Sequence, residues 1–377
     1  MSSVERYSLK DGSVRWMVRY RVDGRQVKSK GHLTKRDARL FAATVETKVA
    51  SGQWIDPQSG KVSVGTLWAD YAAGSTAIKE TTRATRRVTW AKWVKPRWGD
   101  TPVGRIRVSQ IRTWTGQMVA DGAGPATVAN ALSILRGVLA LAVEDRLIES
   151  NPAAGVKPPR RTPKVKVYLT HAQVDLITGA CADAQDACIV GVLAYCGLRF
   201  GELAALRVSD VDFLRKRINV SRSVSDVRGK GLVWSSPKTY EQRSVPIAAH
   251  LLSLLSAQAA GRGRSDLLFG DGQTPIRVNN WRSRRFYPAV KAARKLDDTI
   301  PAVTVHDLRA TCISLALSAG AGLKQVQMLA GHSSGAVTAN VYGSLMNDDV
   351  DRVAKALDRQ RAEQTGCAPA VPSADQG

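Results

Sequence analysis

Two arginines, two histidines, a lysine and a tyrosine sit in this 377-residue chain where packing alone does not account for them. Arg199 follows "CGL" at the end of an apolar run, and Glu202 comes three residues later. An arginine there costs burial energy unless an anion or a carboxylate receives it. It is therefore either part of an anion site or simply the partner of Glu202. In "HDLRAT", His306 and Arg309 are three apart, one turn of the same helix face, where both can address one phosphate. Lys238 in "SPKTYEQRSVPI" falls in a hairpin turn, free to swing; by itself it reads as a solvated lysine. Tyr342 comes ten residues after His332 in "LAGHSSGAVTANVYGSL", and by itself is one of eight tyrosines and a packing residue. Together the six suit chemistry on a phosphate.

The composition fits such a substrate. Lys and Arg total 55 against 32 Asp and Glu, a formal charge of +23. A field of that sign attracts polyanions, nucleic acid first and anionic membrane second. The longest uninterrupted apolar run, "CIVGVLAYCGL", is too short to span a bilayer. "MSSVERYSLK" has no apolar signal region, so a cytoplasmic protein is expected. The five cysteines, at 181, 188, 196, 312 and 367, form no CxxC pair. Buried reduced thiols are expected in preference to a metal site. No compact Asp/Glu cluster flanks the polar motifs, as two-metal phosphodiester chemistry would require, and no GxxxxGK(S/T) phosphate loop occurs. Neither a metal nor a nucleotide cofactor is expected.

Three regions must carry these residues. In 1–54, "VRWMVRYRVDGRQVKSKG" alternates with period two, placing Trp16, Val18, Tyr20 and Val22 on one face. Arg15, Arg19 and Arg21 line the other face, "DG" at 23–24 signals a hairpin, and Thr34 caps a helix. A small α+β domain reading a DNA groove is expected there. Residues 62–150 show apolar residues at three and four spacing with Gly or Pro between segments, an all-α domain. Arg83, Arg86 and Arg87 cluster on one of its helices, while Trp90 and Trp93 are expected in its core. The linker "SNPAAGVKPPRRTPKVK", with Arg160 and Arg161, reads as a strap along phosphates. Residues 166–362 read as a mainly α mixed domain with a small β-sheet, followed by a disordered tail at 363–377.

The order Arg, Lys, His-x-x-Arg, Gly-His, Tyr resembles the tyrosine recombinase family, also called the phage integrase family. "GLRFGELAALRVSDVDF" is similar to its first arginine box. "HDLRATCISLALSAG" and "QMLAGHSSGAVTANVYGSL" are similar to its second box and nucleophile segment. Residues 62–150 resemble its core-site DNA-binding domain, and 1–54 more weakly resemble the arm-type domain of actinobacterial phage integrases. The resemblance implies a multidomain, type IB topoisomerase-like fold and integration and excision of phage or mobile-element DNA. Arg199 and Arg309 would supply guanidinium forks to the non-bridging oxygens. Tyr342 would attack to give a 3′-phosphotyrosine, and Lys238 would protonate the leaving 5′-oxygen. His306 would accept or relay the tyrosine proton, His332 would donate to the phosphate, and Glu202 would hold Arg199.

Double-stranded attachment-site DNA, a homotetramer on it, a host DNA-bending factor and an excisionase are the partners so implied, in a bacterial host cell. Two alternatives remain from the sequence. One is a DNA-binding regulator that never cuts, against which all six catalytic positions being filled speaks. The other is a chromosome-dimer resolvase, which the extra segment 1–54 disfavours.

Overall fold

The structure is a computed structural model, and it describes residues 2–22, 24–52, 54–56, 58–162, 166–235, 242–331, 357–358 and 360–363. Lys238, His332, Tyr342, most of the last predicted helix and the 364–377 tail lie outside the described residues. The chain divides into two compact units, Met1–Thr162 and Pro163–Gly377.

The first unit opens with an antiparallel sheet of β1 (Ser3–Ser8), β2 (Val14–Val22) and β3 (Arg25–His32), followed by α1 (Lys35–Ala50). Val18 and Tyr20 pack on Ala38, Ala42 and Val45 of α1, with Trp16 and Val22 beside them. The alternation is interrupted by a register shift between Trp16 and Val18, and Met17 is buried as a result. Thr34 caps α1 by accepting from the Asp37 backbone N–H at 3.1 Å. Helices α2 (Val64–Gly74), α3 (Glu80–Thr89), α4 (Lys95–Trp98), α5 (Val108–Ala120) and α6 (Pro125–Glu144) follow. Trp90 is buried and stacks on Trp68 with centroids 4.6 Å apart, while Trp93 is partly buried against the same core.

By length and composition α6 could cross a membrane, with a mean hydropathy of 1.7. Scoring only uninterrupted apolar runs overlooks it. In this fold its Val128, Leu132, Leu135, Val138 and Leu139 are buried in the first unit's core.

The linker departs from the expected strap in its first part. Ala153 and Val156 are buried, and their carbonyls accept from Arg136 Nε at 3.2 Å and Nη2 at 2.8 Å. Asn151 Nδ2 donates back to the Arg136 carbonyl. Segment 151–156 is therefore a packed cap on α6. Arg160 and Arg161 beyond it are exposed.

The second unit holds α7 (His171–Gly179), α8 (Ala184–Cys196) and the single-turn α9 (Phe200–Leu203). Next come β4 (Val211–Asp212), β5 (Arg217–Val220), β6 (Ser223–Val227), β7 (Gly231–Ser235) and β8 (Arg243–Pro246). After them run α10 (Ala249–Ala259), α11 (Val278–Trp281), α12 (Tyr287–Leu296), α13 (Val305–Ser318) and α14 (Leu323–Ala330). The strands form two sheets, β4-β5-β8 and the hairpin β6-β7, both antiparallel. Helix α8 is apolar on every side because it is the central element, with α7, α10 and α13 packed around it. Cys188, Cys196 and Cys312 are buried free thiols on α8 and α13, and burial pushes Cys188 and Cys312 up to about 12. Cys181 is also free and half-buried, just past the end of α7.

Candidate active site

Helix α8 stops where Gly197 takes φ +62°, a conformation that glycine adopts without steric cost. A side chain at 197 would also meet Cys312 Sγ at 3.0 Å. Two residues later Arg199 begins α9, and Glu202 in that turn is only 1% exposed. Glu202 Oε2 accepts from the Arg199 backbone N–H at 2.9 Å, and Oε1 accepts from Arg199 Nη1 at 2.8 Å. The second nitrogen, Arg199 Nη2, donates to the Gly331 carbonyl at 3.2 Å. Arg199 keeps 27% of its side chain open to solvent.

Arg309 approaches from α13, whose start is fixed by Thr304 and Asp307. The Asp307 carboxylate accepts from the Thr304 N–H at 2.8 Å and hydroxyl at 2.7 Å. Arg309 is 3% exposed, donating from Nη1 to the Gly197 carbonyl at 2.5 Å and from Nη2 to the Ala330 carbonyl. The two arginines thus meet at the C-terminal carbonyls of α14, where the helix dipole places partial negative charge. The next residue in the chain is His332.

The sequence reading missed one member of this cluster. Arg243, at the head of β8, binds Glu202 with both terminal nitrogens, Nη1 to Oε1 at 3.0 Å and Nη2 to Oε2 at 2.6 Å. Nothing in "RSVPIA" distinguishes that arginine from its many neighbours. The one available signal was Glu202 itself, a carboxylate inside the apolar run "FGELAAL" that a single arginine leaves half satisfied.

Two guanidinium groups therefore bind one carboxylate, with Arg309 close enough to feel its charge, and the cluster keeps a net positive charge. Burial alone would raise the Glu202 carboxyl, but the bonds and charges of Arg243 and Arg199 outweigh it and hold it below the ordinary value. Arg309 is brought down to about 10 by burial and by the facing Arg199, and stays cationic at neutral pH. His306, one turn before Arg309, retains solvent access. Lost hydration and the charge of Arg309 lower its pKa, with Lys166 and Arg199 adding to the effect and Asp307 opposing it. Among the described residues no group of three or more His, Cys, Asp or Glu is placed to hold a metal ion.

The structure thus brings Arg199, Glu202, His306 and Arg309 together. The arginines expected to meet DNA are differently disposed. Arg83 is tied to Glu80 at 2.6 Å and the Ser75 carbonyl at 3.1 Å, and Arg19 to Glu5 at 2.9 Å. Arg86 lies over the Tyr71 ring, 5.6 Å from its centroid. Arg21 and Arg87 are exposed, while Arg15 is half-buried with Nη1 donating to the neighbouring Val14 carbonyl.

Residues 167–347 match the sequence profile of the Phage integrase family. Over 335 residues the chain is 30% identical to the prophage phiRv2 integrase of Mycobacterium tuberculosis, covering 85% of this chain and 87% of that one. The chain belongs to the phage integrase family. A second relative of this integrase-family chain, the integrase of Mycobacterium phage FRAT1, is 28% identical, covering 80% of this chain and 84% of that one. The fold is shared with the Tn1549 transposon integrase solved with transposon right end DNA. That match has a TM-score of 0.68 at 23% identity, covering 78% of this chain and 100% of that chain. A lambda integrase tetramer bound to a Holliday junction matches with a TM-score of 0.57 at 17% identity, covering 88% of this chain and 96% of that chain. These matches bear out the expected fold class, a multidomain chain with a sheet-bearing N-terminal part, a helical part and a mainly α part with small sheets.

Proposed function

We propose that this integrase-family chain is a site-specific DNA recombinase that integrates and excises phage or mobile-element DNA through a covalent protein–DNA intermediate. The observation that carries the reading is the convergence of Arg199 and Arg309, from separate helices, at the end of α14 immediately before His332. Two rigid guanidinium groups so fixed suit the two non-bridging oxygens of one phosphodiester, where negative charge gathers in the transition state. Residues 1–54 and 62–150 act as arm-type and core-type DNA-binding domains, with exposed Arg21, Arg87, Arg160 and Arg161 among the phosphate contacts. Four protomers assemble on two sites, as the lambda integrase tetramer does on its junction, aided by a DNA-bending factor and an excisionase.

In the reaction the Tyr342 hydroxyl oxygen attacks phosphorus and the bond to the 5′-oxygen breaks. The tyrosine proton passes to His306, and Lys238 gives its proton to the departing 5′-oxygen. The products are a 3′-phosphotyrosine and a free 5′-hydroxyl. Attack by another strand's 5′-hydroxyl reverses these transfers and releases the tyrosine. The phosphodiester's energy is kept throughout, so no ATP is required, and side chains fill the charge-neutralising and protonating roles that a metal ion could otherwise take.

The reading is tested with a suicide duplex nicked near the cleavage point, the ends being mapped by sequencing the protein-linked DNA. Adduct formation is expected to proceed in EDTA without nucleotide. Complete loss in EDTA, restored by a divalent cation, contradicts the chemistry. A second expectation concerns pH. Because the pKa of His306 is lowered from 6.5, its ring is neutral and able to accept a proton at pH 7. On the acid side, single-turnover cleavage should hold down to pH 7 and fall only as the pH drops through that lowered value. The acid limb should vanish in His306→Gln; a limb that survives unchanged assigns it to another group.

A further inference from the structure

The structure assigns Arg243 as a positioning residue that fixes the guanidinium of Arg199 through both groups Arg199 is anchored to; this rests on the reading of Arg199 as a phosphate ligand. One anchor is Glu202, which Arg243 grips with both terminal nitrogens at 3.0 and 2.6 Å. The other is the Gly331 carbonyl, and Gly331 is packed directly on Arg243. A Cβ at residue 331 would lie 3.0 Å from Arg243 Cδ, 3.1 Å from Nε and 3.2 Å from Nη1. Gly331 also has φ +60°, so this close approach requires glycine on two counts. Arg243 therefore sits between Arg199's two acceptors and sets the distance between them.

Both terminal nitrogens of Arg243 are turned onto Glu202, the carboxylate that also holds Arg199. Among the described residues its buried Nε has no hydrogen-bond partner, a cost that a merely apolar filler would avoid. What it supplies is a planar two-pronged grip on Glu202. A lysine cannot reproduce that grip, because its ammonium is a point charge on a flexible stem. Without the grip Glu202 can rotate about its own side-chain bonds and carry Arg199 with it, off the line of the non-bridging oxygen.

The test compares two substrates, the nicked duplex with its natural phosphate and the same duplex with a methylphosphonate at the mapped cleavage position. The methyl group removes the negative charge that a well-placed Arg199 would neutralise. Four proteins are measured: wild type, Arg199→Ala, Arg243→Lys and the Arg199→Ala/Arg243→Lys double variant. A fifth, Arg243→Met/Glu202→Gln, removes both buried charges and serves if Arg243→Lys is poorly folded by circular dichroism. Arg243→Lys should slow cleavage of the phosphate about 10²-fold, the scale of a reacting group displaced by 1 Å. It should change methylphosphonate cleavage only a few-fold, and slow Arg199→Ala no further on either substrate. The paired variant should show the same selectivity. Equal slowing on both substrates, or full additivity with Arg199→Ala, overturns the positioning role. If Arg199→Ala is itself not restored by methylphosphonate, the phosphate reading of Arg199 fails and takes Arg243 with it. Restoration of Arg199→Ala without restoration of Arg243→Lys removes Arg243 alone.

Discussion

Arg309→Lys is expected to cleave the nicked duplex about 10²–10³-fold more slowly than wild type, the cost of losing one preorganised donor to a developing charge. Lysine keeps the positive charge but cannot donate at once to the Gly197 carbonyl, the Ala330 carbonyl and a phosphate oxygen. Those two carbonyls are what aim the guanidinium, one at the end of α8 and one at the end of α14. Arg309→Ala should lose the same activity and fold stability besides, since a buried acceptor left unsatisfied costs about 1–3 kcal/mol. Single-turnover rates with thermal melts on both variants separate the effects. A lysine variant cleaving at wild-type rate would show that the fork geometry is irrelevant.

The second large effect is on stability. Glu202 is 1% exposed and accepts from the Arg199 backbone, Arg199 Nη1 and both terminal nitrogens of Arg243. Glu202→Ala leaves two guanidinium groups facing each other without their carboxylate. Breaking a buried ion pair from one side costs about 3–5 kcal/mol. For a unit of this size that lowers the melting midpoint by roughly 10 °C, at about 2–4 °C per kcal/mol. Glu202→Gln, which keeps the shape and one acceptor, should cost less. The pH dependence follows from the lowered carboxyl pKa. A carboxylate whose pKa is depressed by folding stabilises the protein above its unfolded value. That stabilisation is lost as the pH falls through the folded value. The gap in stability between wild type and Glu202→Gln should therefore be full at pH 7 and close in acid, below the ordinary carboxyl value of 4.5. A gap that is constant with pH would mean the charge of Glu202 contributes nothing.

Two pairs of the cluster were legible in the sequence because their logic is local, while Lys238, His332 and Tyr342 lie outside the described residues. Arg199 and Glu202 are three apart in the one turn that follows the Gly197 break, and His306 and Arg309 are three apart on one helix, so spacing alone puts each pair together. Arg243 was not legible, because its partner Glu202 lies 41 residues away and the pairing exists only after β8 has docked. The same limit explains the linker. Pro and Arg content suggested a free strap, but Arg136, 17 and 20 residues upstream of the carbonyls it binds, folds its first part onto α6. In the N-terminal sheet the period-two pattern correctly gave the face that packs on α1. A register shift at Trp16 and Val18 buried Met17 as well, and no alternation rule anticipates a bulge. Counting arginines also overstated the free ones, since Arg83 and Arg19 are engaged by Glu80 and Glu5.

The most direct test is the chemical identity of the protein–DNA bond. Wild type and Tyr342→Phe are incubated with the nicked suicide duplex, and any covalent adduct is digested and sequenced by mass spectrometry. Wild type should yield a peptide carrying DNA on Tyr342, and Tyr342→Phe should yield no adduct while still binding the duplex. An adduct on another residue, or one formed equally by Tyr342→Phe, would contradict the proposed mechanism.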